Sequence, residues 1–213
     1  APKGAAKRCM DGCKVKELVS IGDMVAFKSQ IFDMLNGFVC GKALDDRAGI
    51  VCVISVLELL NGVDLDADIY AVASVSEEVG CRGAKPAAFG IEADECITID
   101  VTFAKTHDYK KWDAYSINQG PVLGYAPVIN RDMFNNFKKI CENNGIKYEV
   151  EVMAGSTGTN TAGIFNTRNG VKCMNVSLPQ KYMHSQIEMV SVKDIADIAK
   201  LVSLYLKSGE VSE

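Results

Sequence analysis

The chain has 213 residues, of which 48% are hydrophobic and 23% charged, with a net charge of −4 and two histidines. This composition is that of a globular protein, and it excludes intrinsic disorder, collagen and coiled coil as descriptions of the whole chain. The acidic balance and the lack of a basic block argue against nucleic acid or an anionic membrane surface as a partner. The longest apolar run, residues 50–60, is interrupted by Ser55 and Glu58 and is too short to span a bilayer.

Strand-like and helix-like segments alternate along the chain. Strands are predicted at residues 24–27, 37–40, 68–75, 95–101, 147–152 and 171–176. Helices are predicted at residues 46–61, 82–89, 131–144 and 190–207, and a glycine- and threonine-rich turn enters a further helix within residues 156–168. The helix at residues 46–61 is apolar on most sides and is expected to be buried. The alternation predicts an α/β sheet covered on both faces.

The eight cysteines have no regular spacing, and several lie inside apolar runs. Buried thiols of this kind are typical of a protein in a reducing compartment. We therefore expect free thiols and a cytoplasmic location. His107 falls in a long polar loop, residues 104–120, and is expected to face solvent.

Acidic residues and one histidine follow the predicted strands, where ligands bind in α/β sheets. Asp45 and Asp46 follow the strand at 37–40, Glu77 and Glu78 the strand at 68–75, Asp100 the core of the strand at 95–101, and His184 the last strand. Carboxylates together with an imidazole suit a pair of divalent metal ions. Of two adjacent carboxylates, one can bind metal while its neighbour accepts a proton from water.

Each of these features also has a simpler explanation. The Asp45–Asp46 pair suits a helix N-cap, Glu77–Glu78 a solvated turn, and His184 a hydrogen-bonded core position. Residues 155–159 either cap the next helix or offer N–H groups to a substrate carbonyl or carboxylate. Arg82 is either a surface charge or a clamp for a substrate carboxylate.

Four motifs, in this order, resemble the glutamyl aminopeptidase and tetrahedral aminopeptidase family of dinuclear metallo-aminopeptidases, some of which have been called endoglucanases. The motifs are residues 42–49 (KALDDRAG), 76–84 (SEEVGCRGA), 99–102 (IDVT), and 182–185 (YMHS) with 188–190 (EMV). The resemblance implies a three-layer α/β/α sandwich with a mixed central sheet. Residues 1–40 would be the tail of an inserted β-rich dimerisation domain with its return strand, and residues 41–213 the carboxyl-terminal part of the catalytic domain.

The resemblance also implies residue roles. Asp45 would bridge two divalent ions, Zn²⁺ or Co²⁺, with Glu78 and His184 on one ion and Asp100 on the other. Glu77 would be the general base and Asp46 a second catalytic residue, with a cis peptide bond between Asp45 and Asp46. Arg82, Gly158 and Thr159 are the candidate substrate-binding residues.

The activity implied is the removal of amino-terminal residues from short peptides by a homo-oligomer, from dimer to dodecamer. The main departure from the family pattern is a missing histidine: the family has a further metal-binding histidine upstream, and no histidine precedes Asp45. The chain is therefore expected to lack the front of the catalytic domain. Phe103 and Asn160 are smaller departures, at positions where the family has His and Asp. Two alternatives stay open: an inactive or one-metal fragment with a structural or peptide-binding role, and a glycoside hydrolase that uses paired carboxylates.

Overall fold

The computed structural model describes residues 12–107 and 114–209. The helices are α1 (Gly12–Lys16), α2 (Leu44–Leu60), α3 (Ala84–Ile91), α4 (Arg131–Asn143), α5 (Thr161–Ile164) and α6 (Val192–Lys207). The strands are β1 (Phe32–Met34), β2 (Phe38–Gly41), β3 (Glu95–Phe103), β4 (Val122–Tyr125), β5 (Glu149–Val152), β6 (Lys172–Gln180) and β7 (Glu188–Ser191). None of the helices in these two ranges is long and apolar enough to cross a membrane.

The main sheet is mixed and has the strand order β3-β6-β4-β5. β6 pairs in parallel with β3 over nine residues and antiparallel with β4, and β4 pairs in parallel with β5. A smaller antiparallel sheet has the order β1-β2-β7. Because β3 and β6 run side by side in the same direction, the loops after them meet at one edge of the sheet.

Helices cover both faces of the main sheet. The larger core lies between the sheet and α2, α4 and α6, and it contains Phe137 stacked on Tyr205 with 4.4 Å between ring centroids. A smaller core on the opposite face joins α3 and α5 to Cys173 of β6. The three-layer α/β/α sandwich with a mixed sheet is thereby confirmed.

The amphipathic pattern of α4 explains why it forms where it does. The side chain of Asn130 caps the helix by accepting hydrogen bonds from the N–H groups of Asp132 and Met133, both at 3.0 Å. Met133, Phe137 and Cys141 then repeat at helical spacing and are fully buried against the larger core. Burial of each such apolar side chain contributes roughly 1.5–3 kcal/mol before entropy is subtracted.

Two predicted strands are wrong, and three observed strands were missed. Residues 68–75 form no ladder with any described strand, and Tyr70 and Val75 are 63% and 71% exposed. A strand needs a hydrogen-bonded neighbour as well as a β-forming sequence, and residues 68–75 have only the sequence. Residues 24–27 are likewise irregular, while β1, β4 and β7 lie where no strand was predicted. Residues 190–191 belong to β7, although the last helix was predicted to begin at residue 190.

The strands that carry the site are longer than predicted. β3 and β6 continue to Phe103 and Gln180 because their parallel pairing extends past the polar residues. Asp100 therefore lies inside β3 rather than after it.

The expectation that α2 is buried is also only partly met. One stripe, which includes Ala48, Cys52 and Val56, packs into the larger core, while Ile54 and Val51 are 51% and 48% exposed. Within the part of the chain that the structure describes, α2 packs mainly against β3 and α6. The six cysteines whose side chains the structure describes are free thiols, as expected: Cys40, Cys52, Cys81, Cys96, Cys141 and Cys173.

Candidate metal centre

Four separate chain segments meet near the carboxyl ends of β3 and β6. Asp45 lies at the start of α2, directly after β2, and Glu78 lies in the turn that leads to α3. Asp100 projects from β3, and His184 lies in the loop between β6 and β7. The sheet thus brings together side chains that are far apart in the sequence.

Asp45, Glu78 and His184 form a compact cluster. Nε2 of His184 lies 3.0 Å from Oδ2 of Asp45 and 3.2 Å from Oε2 of Glu78. One ligand atom from each residue falls within 4.8 Å of the others. The side chain of Asp45 is 7% exposed, whereas those of Glu78 and His184 are 54% and 65% exposed. The cluster is therefore buried on the side of Asp45 and open to solvent on the side of Glu78 and His184, where a cation and a substrate can enter.

Neighbouring carboxyl groups crowd this cluster with negative charge. Burial and then the charge of Glu78 raise the pKa of Asp45 to about 6. Burial is also the largest cause that raises the pKa of Asp100 to about 7, and Glu77 is the charge that contributes most to the rise. Burial and Asp100 raise the pKa of Asp46 to about 9. Such a set of half-buried acids favours either protons or a bound cation.

The side chain of Asp46 is hydrogen-bonded to its own helix. The peptide bond between Asp45 and Asp46 is cis, as the resemblance implies. Both residues have non-helical dihedral angles, and Oδ1 of Asp46 accepts the N–H of Gly49 at 2.9 Å. The simpler explanation, a helix cap, therefore describes the side chain of Asp46.

Glu77 and Glu78 point to different partners. Glu78 reaches His184, while Oε1 of Glu77 accepts a hydrogen bond from the thiol of Cys81 at 3.3 Å. Glu77 lies near enough to Asp100 for its charge to raise the pKa of that residue. The turn thus places the carboxylate of Glu78 in the cluster and that of Glu77 beside it.

The backbone around the cluster is strained. Ala43, Ser76, Tyr182 and His184 all have positive φ angles, between 50° and 61°. Residues with a Cβ rarely adopt this conformation, and it concentrates at functional sites because the surrounding structure must hold it there. Each of the four lies within two residues of, or is, a member of the cluster.

The candidate substrate residues are less closely tied to the cluster. Arg82 is exposed, and Gly158 is exposed with a φ of +68°. Thr159 is buried, and its hydroxyl donates to Oδ1 of Asn175 at 3.1 Å and accepts the N–H of Thr161 at 3.3 Å. The capping explanation therefore fits Thr159, whose hydroxyl is already used by the fold. His107 is exposed, as expected.

Glu188 is a site residue that was assigned no role in the sequence-based prediction. It is 2% exposed, and its carboxylate accepts N–H groups from Leu44, Asp45 and His184. The sequence feature that could have indicated this role is an acidic residue directly before apolar residues, since an acid that is buried with them needs hydrogen-bond partners.

The fold and the cluster together define an α/β/α domain with a candidate metal centre. Residues 9–201 match the M42 glutamyl aminopeptidase family. The chain is 35% identical over 165 residues to a lysyl aminopeptidase from Pyrococcus furiosus, covering 77% of this chain and 47% of that protein. The chain belongs to the M42 glutamyl aminopeptidase family.

Solved structures agree with this assignment. An aminopeptidase from Desulfurococcus kamchatkensis superimposes with a TM-score of 0.84 at 28% identity, covering 92% of this chain and 56% of that one. The TET1 peptidase of Pyrococcus horikoshii gives a TM-score of 0.72 at 29% identity, covering 89% of this chain and 56% of that one. The chain thus spans about half the length of the relatives it matches.

Proposed function

We propose that the protein is a metal-dependent aminopeptidase that removes amino-terminal residues from short peptides. The observation that carries the proposal is the position of His184 Nε2, within 3.2 Å of carboxylate oxygens from both Asp45 and Glu78. Membership of the glutamyl aminopeptidase family supports the choice of a peptide as substrate.

The donor set fits Zn²⁺ or Co²⁺, which accept mixed carboxylate and imidazole ligands. Asp45, Glu78 and His184 would hold one ion, and Asp45 would bridge to a second ion held by Asp100. Bound divalent ions would supply an activated water near neutral pH and polarise the scissile carbonyl.

The remaining roles belong to side chains around the cluster. Glu77 would act as general base, because it lies beside the cluster and is held by Cys81. It would take the proton from the attacking water and pass it to the departing amine. Arg82 is exposed and free to approach the carboxylate of a short peptide, while Gly158 and Thr159 would contribute main-chain groups only.

The number of ions bound separates this proposal from the one-metal alternative. His184 is the histidine that lies within reach of the cluster carboxylates. Calorimetric titration with Zn²⁺ should give two ions per chain for the two-metal enzyme. A single weak site with peptide binding but no turnover would favour the one-metal fragment.

Activity is tested with aminoacyl anilides and short peptides, using protein loaded with Zn²⁺ or Co²⁺. We expect hydrolysis that a chelator abolishes and that an acetylated amino terminus prevents. Glu77→Gln should retain metal and lose at least about 100-fold in kcat, since a general base contributes about 10²–10⁴-fold. Failure of the fully loaded protein to cleave any peptide would contradict the proposal. Chelator-resistant cleavage of a glucan would favour the glycosidase.

We also propose that the protein forms homo-oligomers. The TET1 relative is described as assembling into a tetrahedron or a large octahedral shell. Exposed apolar residues on α2, including Ile54 and Val51, offer surface that association would bury. Sedimentation velocity should give a mass above that of one chain, and a monomer at all concentrations would contradict this.

A further inference from the structure

We propose that Glu188 is a positioning residue that sets the spacing between Asp45 and His184 and thereby the affinity of the cluster for metal. This inference rests on the proposed metal centre, but its geometry can be examined without metal. Glu188 is outside the ligand cluster and would act through the two residues that it holds.

One carboxylate joins the two loops that carry these ligands. Oε2 of Glu188 accepts the N–H of Leu44 at 2.6 Å and that of Asp45 at 3.2 Å. Oε1 accepts the N–H of His184 at 2.9 Å. The two oxygens of a single side chain therefore fix the main chain on both sides of the contact between Asp45 and His184.

The sheet in turn fixes Glu188. It is the first residue of β7 and pairs with Gly41, the last residue of β2, in the small antiparallel sheet. Short segments lead from Gly41 to Asp45 and from His184 to Glu188. The ladder and the carboxylate thus close both segments, so a displacement of the Glu188 side chain would move both ligands.

His184 depends on this support more than an ordinary residue would. Its φ is +61°, a conformation that costs free energy and persists only where the surroundings impose it. The hydrogen bond from its N–H to Glu188 is charge-assisted and therefore strong. Residues that orient metal ligands in this way typically change metal affinity about 10–100-fold when they are replaced.

Glutamine is a suitable replacement because it keeps the volume but has one acceptor oxygen instead of two. In Glu188→Gln the amide NH₂ must face either the N–H groups of Leu44 and Asp45 or that of His184. The hydrogen bonds to one of the two loops are therefore lost, while the packing of the buried side chain is retained.

Asp194 provides a matched control elsewhere in the fold. It is fully buried in the first turn of α6 and accepts the N–H groups of Asn118 at 2.6 Å and Gly120 at 2.7 Å. Asp194→Asn removes a similar buried carboxylate clamp that holds a loop unrelated to the cluster. Both variants should lose thermal stability for the same reason.

The first measurement is Zn²⁺ affinity by calorimetry on folded protein. We expect Glu188→Gln to weaken binding about 10–100-fold, and Asp194→Asn to leave it within about threefold of the original. Equal affinities for Glu188→Gln and the unchanged protein would overturn the proposal. So would an equal loss in both variants, because stability alone would then explain the effect.

The second measurement is amide hydrogen exchange in the presence of a chelator. In Glu188→Gln, protection of the amide on the side that the NH₂ group faces, that of Asp45 or that of His184, should fall by at least about tenfold beyond the global change that Asp194→Asn also produces. No excess over Asp194→Asn at either amide would overturn the proposal. Absence of Zn²⁺ binding by the unchanged protein would contradict the proposed function, and exchange would still decide the role of Glu188.

Discussion

The thiol of Cys81 donates a hydrogen bond to the carboxylate of Glu77, with 3.3 Å between Sγ and Oε1. Burial, followed by the hydrogen bond and charge of Glu77, raises the pKa of Cys81 to about 11, so the thiol stays protonated at neutral pH. The N–H groups of Gly80 and Cys81 also donate to the carbonyl of Glu77, at 3.0 and 2.8 Å. The same turn therefore holds both the main chain and the side chain of the proposed base.

Replacement of Cys81 should affect turnover more than metal binding. A thiol is a weak donor worth at most about 1 kcal/mol, so Cys81→Ala should lower kcat about three- to fivefold and leave Zn²⁺ affinity unchanged. Cys81→Ser keeps a donor and should lie closer to the original protein. Steady-state kinetics with an aminoacyl anilide measures kcat for both variants. Cys141→Ala, at a buried position of α4, controls for lost stability. A Cys81→Ala protein with full kcat would contradict the role given to this thiol.

The two histidines should respond differently to removal. His184→Ala deletes the imidazole of the cluster and should weaken Zn²⁺ binding by at least about 100-fold, because the two carboxylates are left without their nitrogen ligand. His107→Ala alters an exposed side chain and should leave binding unchanged. Calorimetric titration of both variants makes the comparison. Equal affinity in the two proteins would remove His184 from the site.

Without metal, the protein should lose stability as the pH rises. Burial and neighbouring carboxylates raise the pKa of Asp45 from 3.8 to about 6 and that of Asp100 from 3.8 to about 7. In this window the folded chain binds more protons than the unfolded chain, so the stability that these two groups contribute is present near pH 4 and is lost as the pH rises through 7.

Asp100→Asn tests the part of this effect that comes from Asp100. The variant should flatten the decline by an amount on the order of 2–4 kcal/mol, because its amide does not ionise. Urea unfolding in a chelating buffer at about pH 5 and about pH 8 measures the difference. A decline as steep as that of the unchanged protein would contradict the raised pKa of Asp100.

Two helical glycines should give opposite results when they become alanine. A Cβ on Gly90 of α3 would meet nothing within 4 Å, so Gly90→Ala should stabilise the fold by up to about 1 kcal/mol through helix propensity. A Cβ on Gly49 of α2 would overlap the carboxylate of Asp46, so Gly49→Ala should cost about 1–3 kcal/mol. Thermal unfolding measures both, and stabilisation by Gly49→Ala would show that Asp46 can move freely.

The members of the cluster could be predicted from sequence because each follows a segment with a simple strand-like pattern. Only His184 follows a strand of the main sheet, whereas Asp45 follows a strand of the small antiparallel sheet and Glu78 follows a segment that forms no ladder. The role of Glu188 was missed because two of the three N–H groups that it accepts, those of Leu44 and Asp45, lie 144 and 143 positions away in the sequence. The strand expected at residues 68–75 failed for a related reason, since pairing depends on a neighbour that a local pattern does not contain.

Glu188 lies 144 positions from Leu44, one of its hydrogen-bond partners. Contacts this distant form only after the intervening chain has folded, so the ability to bind metal should be acquired late in folding. An ion that binds the folded chain alone stabilises it by mass action, about 2.7 kcal/mol at 100 times the dissociation constant. We therefore expect the lifetime of this protein in a cell to follow the supply of its metal, with starvation for the ion exposing it to proteolysis.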